Sequence, residues 1–224
     1  MSSSEAVAPA RPGAPALLPY QLLFALGSGS ISAVIALLGE LRDTVGMSDL
    51  GAGVVVMSGF VAALVALVTL APLADRGHGP RMIQIGLLLG TAGLVLMAVA
   101  PSTGVFVLGR AITGFGEGMI LPGVRRVAAV LDPTKVAENL GRLMVGEVVG
   151  MVIGPVIAGA LAAVGTVRTP LLFFAVAHLA FLPLALRLPP DPGEKSTERR
   201  TSFDLLRRRT FVGSLVIIGG YLML

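Results

Sequence analysis

Cysteine is absent from the 224 residues, which excludes disulfides, zinc–thiolate sites and thiol catalysis. Tryptophan is absent too, and the two tyrosines are Tyr20 and Tyr221, so any aromatic belt is thin and Arg and Lys must do the interfacial anchoring. Charge is scarce: 13% of residues, against about a quarter in a soluble domain. With 54% hydrophobic residues and a mean hydropathy of +0.88, the chain reads as one dissolved in lipid. The net charge of +4 does not point to nucleic acid, because the bases lie between apolar runs rather than along one polar face. Residues 1–16, "MSSSEAVAPARPGAPA", have no cluster of positive charge. They read as a disordered cytoplasmic tail, and the long apolar run after them as a retained anchor rather than a cleaved signal.

What is present is a series of charge-free windows: 12–39, 50–74, 82–109, 148–167, 169–186 and 210–224. A crossing helix needs about 20 apolar residues. The windows, with the nearly apolar stretch 105–123, predict an all-α transmembrane protein with helices at about 17–39, 51–73, 82–100, 104–124, 139–164 and 169–187. Residues 17–187 then form a six-helix bundle, 188–209 a solvated cytoplasmic linker, and 210–224 the start of a truncated seventh helix. If the N-terminus is cytoplasmic, 14 of the 17 Lys and Arg lie on the cytoplasmic side and only Arg42 and Arg168 outside, the asymmetry that sets orientation. The expected location is the plasma membrane. The segment "TSFDLLRRR" suits an amphipathic piece on an anionic membrane surface.

The segment "APLADRGHGPRM", residues 71–82, packs Asp75, Arg76 and Arg81 into a turn made by Gly77, Gly79 and Pro80. Glycine tolerates positive φ and proline stops helix propagation, so the flanking helices become antiparallel neighbours. An acid where bases are favoured calls for a partner, and Arg125 and Arg126 are the candidates. His78, in the same turn, is expected to be solvated. This stretch resembles the signature loop of the major facilitator superfamily, Gly-x-Leu-Ala-Asp-Arg-x-Gly-Arg-Arg. Leu73, Ala74, Asp75, Arg76, Gly79 and Arg81 match it, while Ala71 replaces a glycine, one residue is inserted and Pro80 replaces a base. The resemblance implies that Asp75, Arg76 and Arg81 latch the cytoplasmic helix ends together.

Arg110, Glu117 and Glu147 fall within crossings, where an ionised group is expensive unless it meets a partner or water. Arg110 and Glu117 are two turns apart on one helix face, about 10 Å along the axis. Glu117 and Glu147 sit at comparable depth, so two facing carboxylates would share a proton. "GRAITGFGEG" resembles the family pattern Arg-x-x-Gln-Gly-x-Gly through Arg110, Gly114 and Gly116, with Thr113 in place of Gln. That resemblance implies an Arg110 facing the central cavity and linked to proton coupling. "GEVVGMVIGPVIAG" is similar to the drug/proton antiporter pattern through Gly150, Gly154, Pro155 and Gly159. In chemical terms it is a small-residue ridge for close helix contact, with a proline bend. The resemblance implies a dry contact with the other half of a transporter. His178, mid-way along the sixth crossing, reads first as hydrogen-bonded packing and second as a proton relay.

Helices 1–3 and 4–6 form two triplets of opposite orientation, as in inverted repeats. The first helix of each is interrupted by glycine, at Gly27 to Ser30 and at Gly114 to Gly118, a pointer to a midplane substrate site. A mainly apolar wall with two carboxylates suits an amphipathic, cationic solute. The expectation is a proton-coupled exporter of small drug-like compounds working by alternating access, with an uptake permease of the same fold as the alternative. Its partners are the lipid bilayer, protons, a small-molecule substrate and a missing C-terminal half, with no cofactor or metal. Two other classes are an intramembrane enzyme using Ser28 or Ser30 with His178 as base, and a half-size protein that pairs with another chain.

Overall fold

The computed structural model describes residues 17–131, 134–188, 191 and 193; the expected tail, most of the linker and the seventh-helix start lie outside them. The first crossing is α1 (Leu18–Ala36), followed after a break at Leu37 by a short α2 (Leu38–Val45). α2 was expected to be loop. It is helical because Leu41 is fully buried on one side while Glu40, Arg42 and Asp43 stay on the wet side. Gly46, at φ 72°, ends it in the left-handed conformation that glycine adopts freely. Ser48 then caps α3 (Asp49–Leu73) by accepting from the Gly51 amide.

The remaining crossings are α4 (Gly79–Ala98), α5 (Thr103–Leu131), α6 (Val136–Val164) and α7 (Thr169–Leu186). Among the described residues five helical segments are long and apolar enough to span a bilayer. One of them, Asp49–Ala98, reverses at Gly77 and supplies two crossings, α3 and α4. α5 runs seven residues past Val124, where the expected helix ended, and α6 begins before Asn139. Hydropathy sees only the lipid-embedded part of a helix, so these polar turns, with Arg125 and Arg126 in one and Glu138 in the other, read as loop in the sequence. Arg168 donates to the carbonyls of Ala98 and Ala100 at 3.1 and 2.9 Å, closing the end of α4.

Small residues set the register. Gly146, Gly150 and Gly154 of α6 lie against the carbonyls of Gln21, Ala25 and Gly29, so α1 and α6 run parallel. Gly114 and Gly118 of α5 lie against Gly59 and Ala63 of α3, a second parallel pair. α4 meets α5 antiparallel, with Gly86 against Gly116 and Gly93 against Gly109. In this all-α bundle the α1–α6 and α3–α5 pairs each join one helix of the first triplet to one of the second. α4 and α7 close the group antiparallel, through Gln84 to Ala185 and Thr91 to Ala175.

The ridge of Gly150 and Gly154 packs on α1 within this bundle, while Gly159 is exposed with nothing within 4 Å of a Cβ. Residues five apart point in different directions on a helix, so the motif divides between two faces. Pro155 lies inside a continuous α6. The glycine-rich stretches of α1 and α5 are not interruptions either, since both helices run unbroken through them and use the glycines for close approach.

Gly150→Val would drive side-chain atoms into the Ala25 carbonyl. The expected cost is about 2 kcal/mol or more, while Gly159→Ala should be neutral or stabilise by about 0.5 kcal/mol. Thermal unfolding of the full-length protein in detergent checks both.

Candidate functional site

Besides a small cluster around Ala66, Met82 and Met119, two apolar layers fill the bundle, one around Phe106, Leu94 and Phe174 and one around Phe24, Ile83 and Ile120. Arg110, Glu117 and His178 lie in the stretch between them. There a cavity of about 320 Å3 opens between α1, α3, α5 and α6. Its wall is mostly apolar, from residues such as Phe24, Phe60 and Leu64, and the ionisable groups on it are Glu117 and Glu147.

Glu117 is met from two other helices. Its Oε1 lies 3.2 Å from Nε2 of His178 on α7 and 3.5 Å from the Ser30 hydroxyl on α1. Its Oε2 lies against Gly27, where an added Cβ would displace the carboxylate. Glu147 differs. Ser28 donates to its backbone carbonyl at 2.7 Å, but its carboxylate has no hydrogen bond or ion pair among the described residues. Among the described residues no hydrogen bond joins the two carboxylates, and Glu117 meets His178 instead.

Arg110 and Thr113 do not line the cavity. Arg110 is 1% exposed, packed against Gly59 with its Cζ 5.9 Å from the Phe60 ring centre. Its Nε and Nη1 lack an acceptor. The absence of a side chain at Gly59 draws the guanidinium towards α3 and behind Phe60. Thr113 is buried in the α4–α5 crossing and donates to Gly109 at 3.0 Å. Ser28 and Ser30 donate to backbone carbonyls, and neither is hydrogen-bonded to His178. The serine–histidine pair that an intramembrane hydrolase requires is therefore not assembled.

At the end of the bundle holding the signature turn, Arg76, Arg81 and Arg125 are exposed and make no ion pair among the described residues. Asp75 is also exposed. Arg126 pairs with Asp191, beyond α7, through Nε at 2.7 Å and Nη2 at 3.3 Å. Asp191 also accepts from the Gly193 amide at 2.9 Å. Gly77, at φ 87°, lies directly against the Asp191 carbonyl, so both its conformation and its contact demand glycine. The chain after α7 thus clasps the α3–α4 turn to the end of α5. Sequence reasoning missed Asp191 because it sits 65 residues from Arg126 in a stretch that reads as linker.

Arg126 holds the Asp191 carboxyl below its ordinary range. The folded state therefore takes up this proton less readily than the unfolded one. The clasp contributes fully at neutral pH and is lost as pH falls below about 4. A double-mutant cycle with Arg126→Gln and Asp191→Asn should give a coupling of about 2 kcal/mol at pH 7, vanishing in acid, by thermal unfolding.

The sequence profile of the Major Facilitator Superfamily matches residues 18–224. The chain is 30% identical over 177 residues to the quinolone resistance protein NorA of Staphylococcus aureus (strain Mu50 / ATCC 700699), covering 78% of this chain and 44% of NorA. It is 29% identical over 150 residues to the putative uncharacterized transporter YgaY of Escherichia coli (strain K12), covering 67% of this chain and 38% of YgaY. The matches thus span less than half the length of these relatives.

Proposed function

We propose that this chain, which belongs to the Major Facilitator Superfamily, is the N-terminal six-helix bundle of a transporter that exports small amphipathic cations in exchange for protons. The observation that carries this reading is the placement of Glu117 and Glu147 on one otherwise apolar cavity wall. A carboxylate in such a wall attracts a cation, and the apolar surface accepts the rest of an amphipathic molecule. The name of its relative NorA, a quinolone resistance protein, supports a drug-like substrate. The exposed apolar faces of α3 and α6 beside the cavity, including Met57, Val61, Val148 and Val152, support a second helical half closing over it. The basic end with Arg76, Arg81, Arg125 and Arg126 supports a cytoplasmic N-terminus in the plasma membrane.

Everted vesicles containing the full-length protein test the reading. Proton-driven uptake of ethidium into them is expected, with a fall of roughly tenfold or more, the equivalent of about 1.4 kcal/mol, for Glu117→Gln and for Glu147→Gln. Undiminished uptake by both variants and by the double variant would reject it, and accumulation by intact cells would point to uptake instead.

A further inference from the structure

His178 is 1% exposed, and its ring fills the space left by Gly90 on α4, where a Cβ would come within 2.8 Å. Its Nδ1 lies 2.8 Å from the carbonyl oxygen of Phe174, one turn back. A carbonyl oxygen only accepts, so Nδ1 carries a hydrogen. In a neutral imidazole Nε2 then presents a lone pair, and Nε2 faces Oε1 of Glu117 at 3.2 Å. Two lone pairs facing each other between apolar layers repel. The contact therefore requires one more proton, on the carboxyl or on the ring. Either placement leaves the pair without net charge. Removing that proton leaves one negative charge, which the interior tolerates when a cation arrives to balance it.

The surrounding helices add few other charges. α5 contributes Arg110, two turns away and turned towards α3, and α6 contributes Glu147 on the cavity wall. α1 has Tyr20 near its start, while α3 and α4 carry ionisable side chains only at their ends, Asp49 and Arg81. α7 has none besides His178 between Arg168 and Arg187.

We propose that Glu117 and His178 together form the proton-binding site, with one exchangeable proton between Oε1 and Nε2, and that Glu147 receives the cationic centre of the transported compound. The division follows from the partners: Glu117 is engaged by His178, whereas the carboxylate of Glu147 lines the cavity with no protein partner among the described residues. A cation entering beside Glu147 brings one positive charge. Release of the shared proton to water removes one, so the charge of the cavity is unchanged across the exchange. The inference rests on the export reading above, and it makes His178, which never touches the cavity, a positioning residue for the proton on Glu117.

The test uses the purified full-length protein in detergent with tetraphenylphosphonium, measuring binding by equilibrium dialysis and proton release in weakly buffered solution. The wild type should release about one proton per bound cation at saturation. His178→Gln supplies a permanent amide donor to Glu117 and removes the need for the shared proton, so the ratio should fall to roughly zero, as it should for Glu117→Gln. Glu147→Gln should weaken binding about tenfold while the ratio at saturation stays near that of the wild type. A His178→Gln protein that releases protons like the wild type, or a Glu147→Gln protein that binds like it, overturns the proposal. Nitrogen-15 spectra of labelled histidine, with His178 assigned by its disappearance in His178→Gln, test the pair without substrate. A proton fixed on Nδ1 and a titrating Nε2 support it, and a bare Nδ1 overturns it. Absence of tetraphenylphosphonium binding by the wild type would count against the export reading, with the pair still decided by the spectrum. Glu117→Gln and the wild-type spectrum keep the test open should His178→Gln fail to fold.

Discussion

An ionised carboxylate at the centre of a bilayer costs on the order of 3 kcal/mol unless something meets it, and Glu117 is met from two other helices. His178 approaches from α7, Ser30 from α1, and Gly27 leaves room for its second oxygen. The carboxylate can occupy this place only because α1, α5 and α7 come together there. On its other side the cavity opens between α1, α3, α5 and α6. The polar centre therefore constrains the bundle as much as the apolar layers above and below it.

Close helix contact makes that convergence possible. Lipid tails are as apolar as leucine, so helices in a membrane gain little from burying apolar faces against each other and depend on tight packing instead. Glycine on α6 lets α1 approach until backbone meets backbone, and glycine on α5 does the same for α3. The Ser30–Glu117 contact sits where these two parallel pairs meet, α1 against α5. At the basic end the Arg126–Asp191 ion pair ties the chain after α7 to α5, and the Asp191 carbonyl lies against Gly77. That arrangement couples the end of α7 to the turn between α3 and α4.

Much of the architecture was legible in the sequence because it follows from local composition. Charge-free windows mark the crossings, Gly77 to Pro80 mark the reversal, and the quoted motifs mark the family. Helix ends were less legible, since Val136 to Asn139 and the turns after Gly123 are helical without being apolar. Partners across helices were the least legible. Thr113 and Arg110 share a helix with Glu117, yet one turns into the α4 crossing and the other behind Phe60. His178 read as a packing residue because nothing within its own helix reveals a carboxylate 61 residues earlier at hydrogen-bond distance. Glu117 lies eight residues before Arg125 and His178 nine before Arg187, and that similar spacing on different crossings was the signal available. Which face of α6 meets α1 likewise depends on packing that a glycine pattern alone does not specify.

The central claim is that the carboxylates face a wet passage rather than lipid. The 224 residues contain no native cysteine, so single cysteines can be introduced one at a time into the full-length protein, in a background free of other cysteines, and tested with a membrane-impermeant thiol reagent. Cysteines at Ser28, Ala63 and Leu67 on the cavity wall should react, and a cysteine at the outward-facing Leu88 should not. Inert cavity positions beside a reactive Leu88 position would contradict the account.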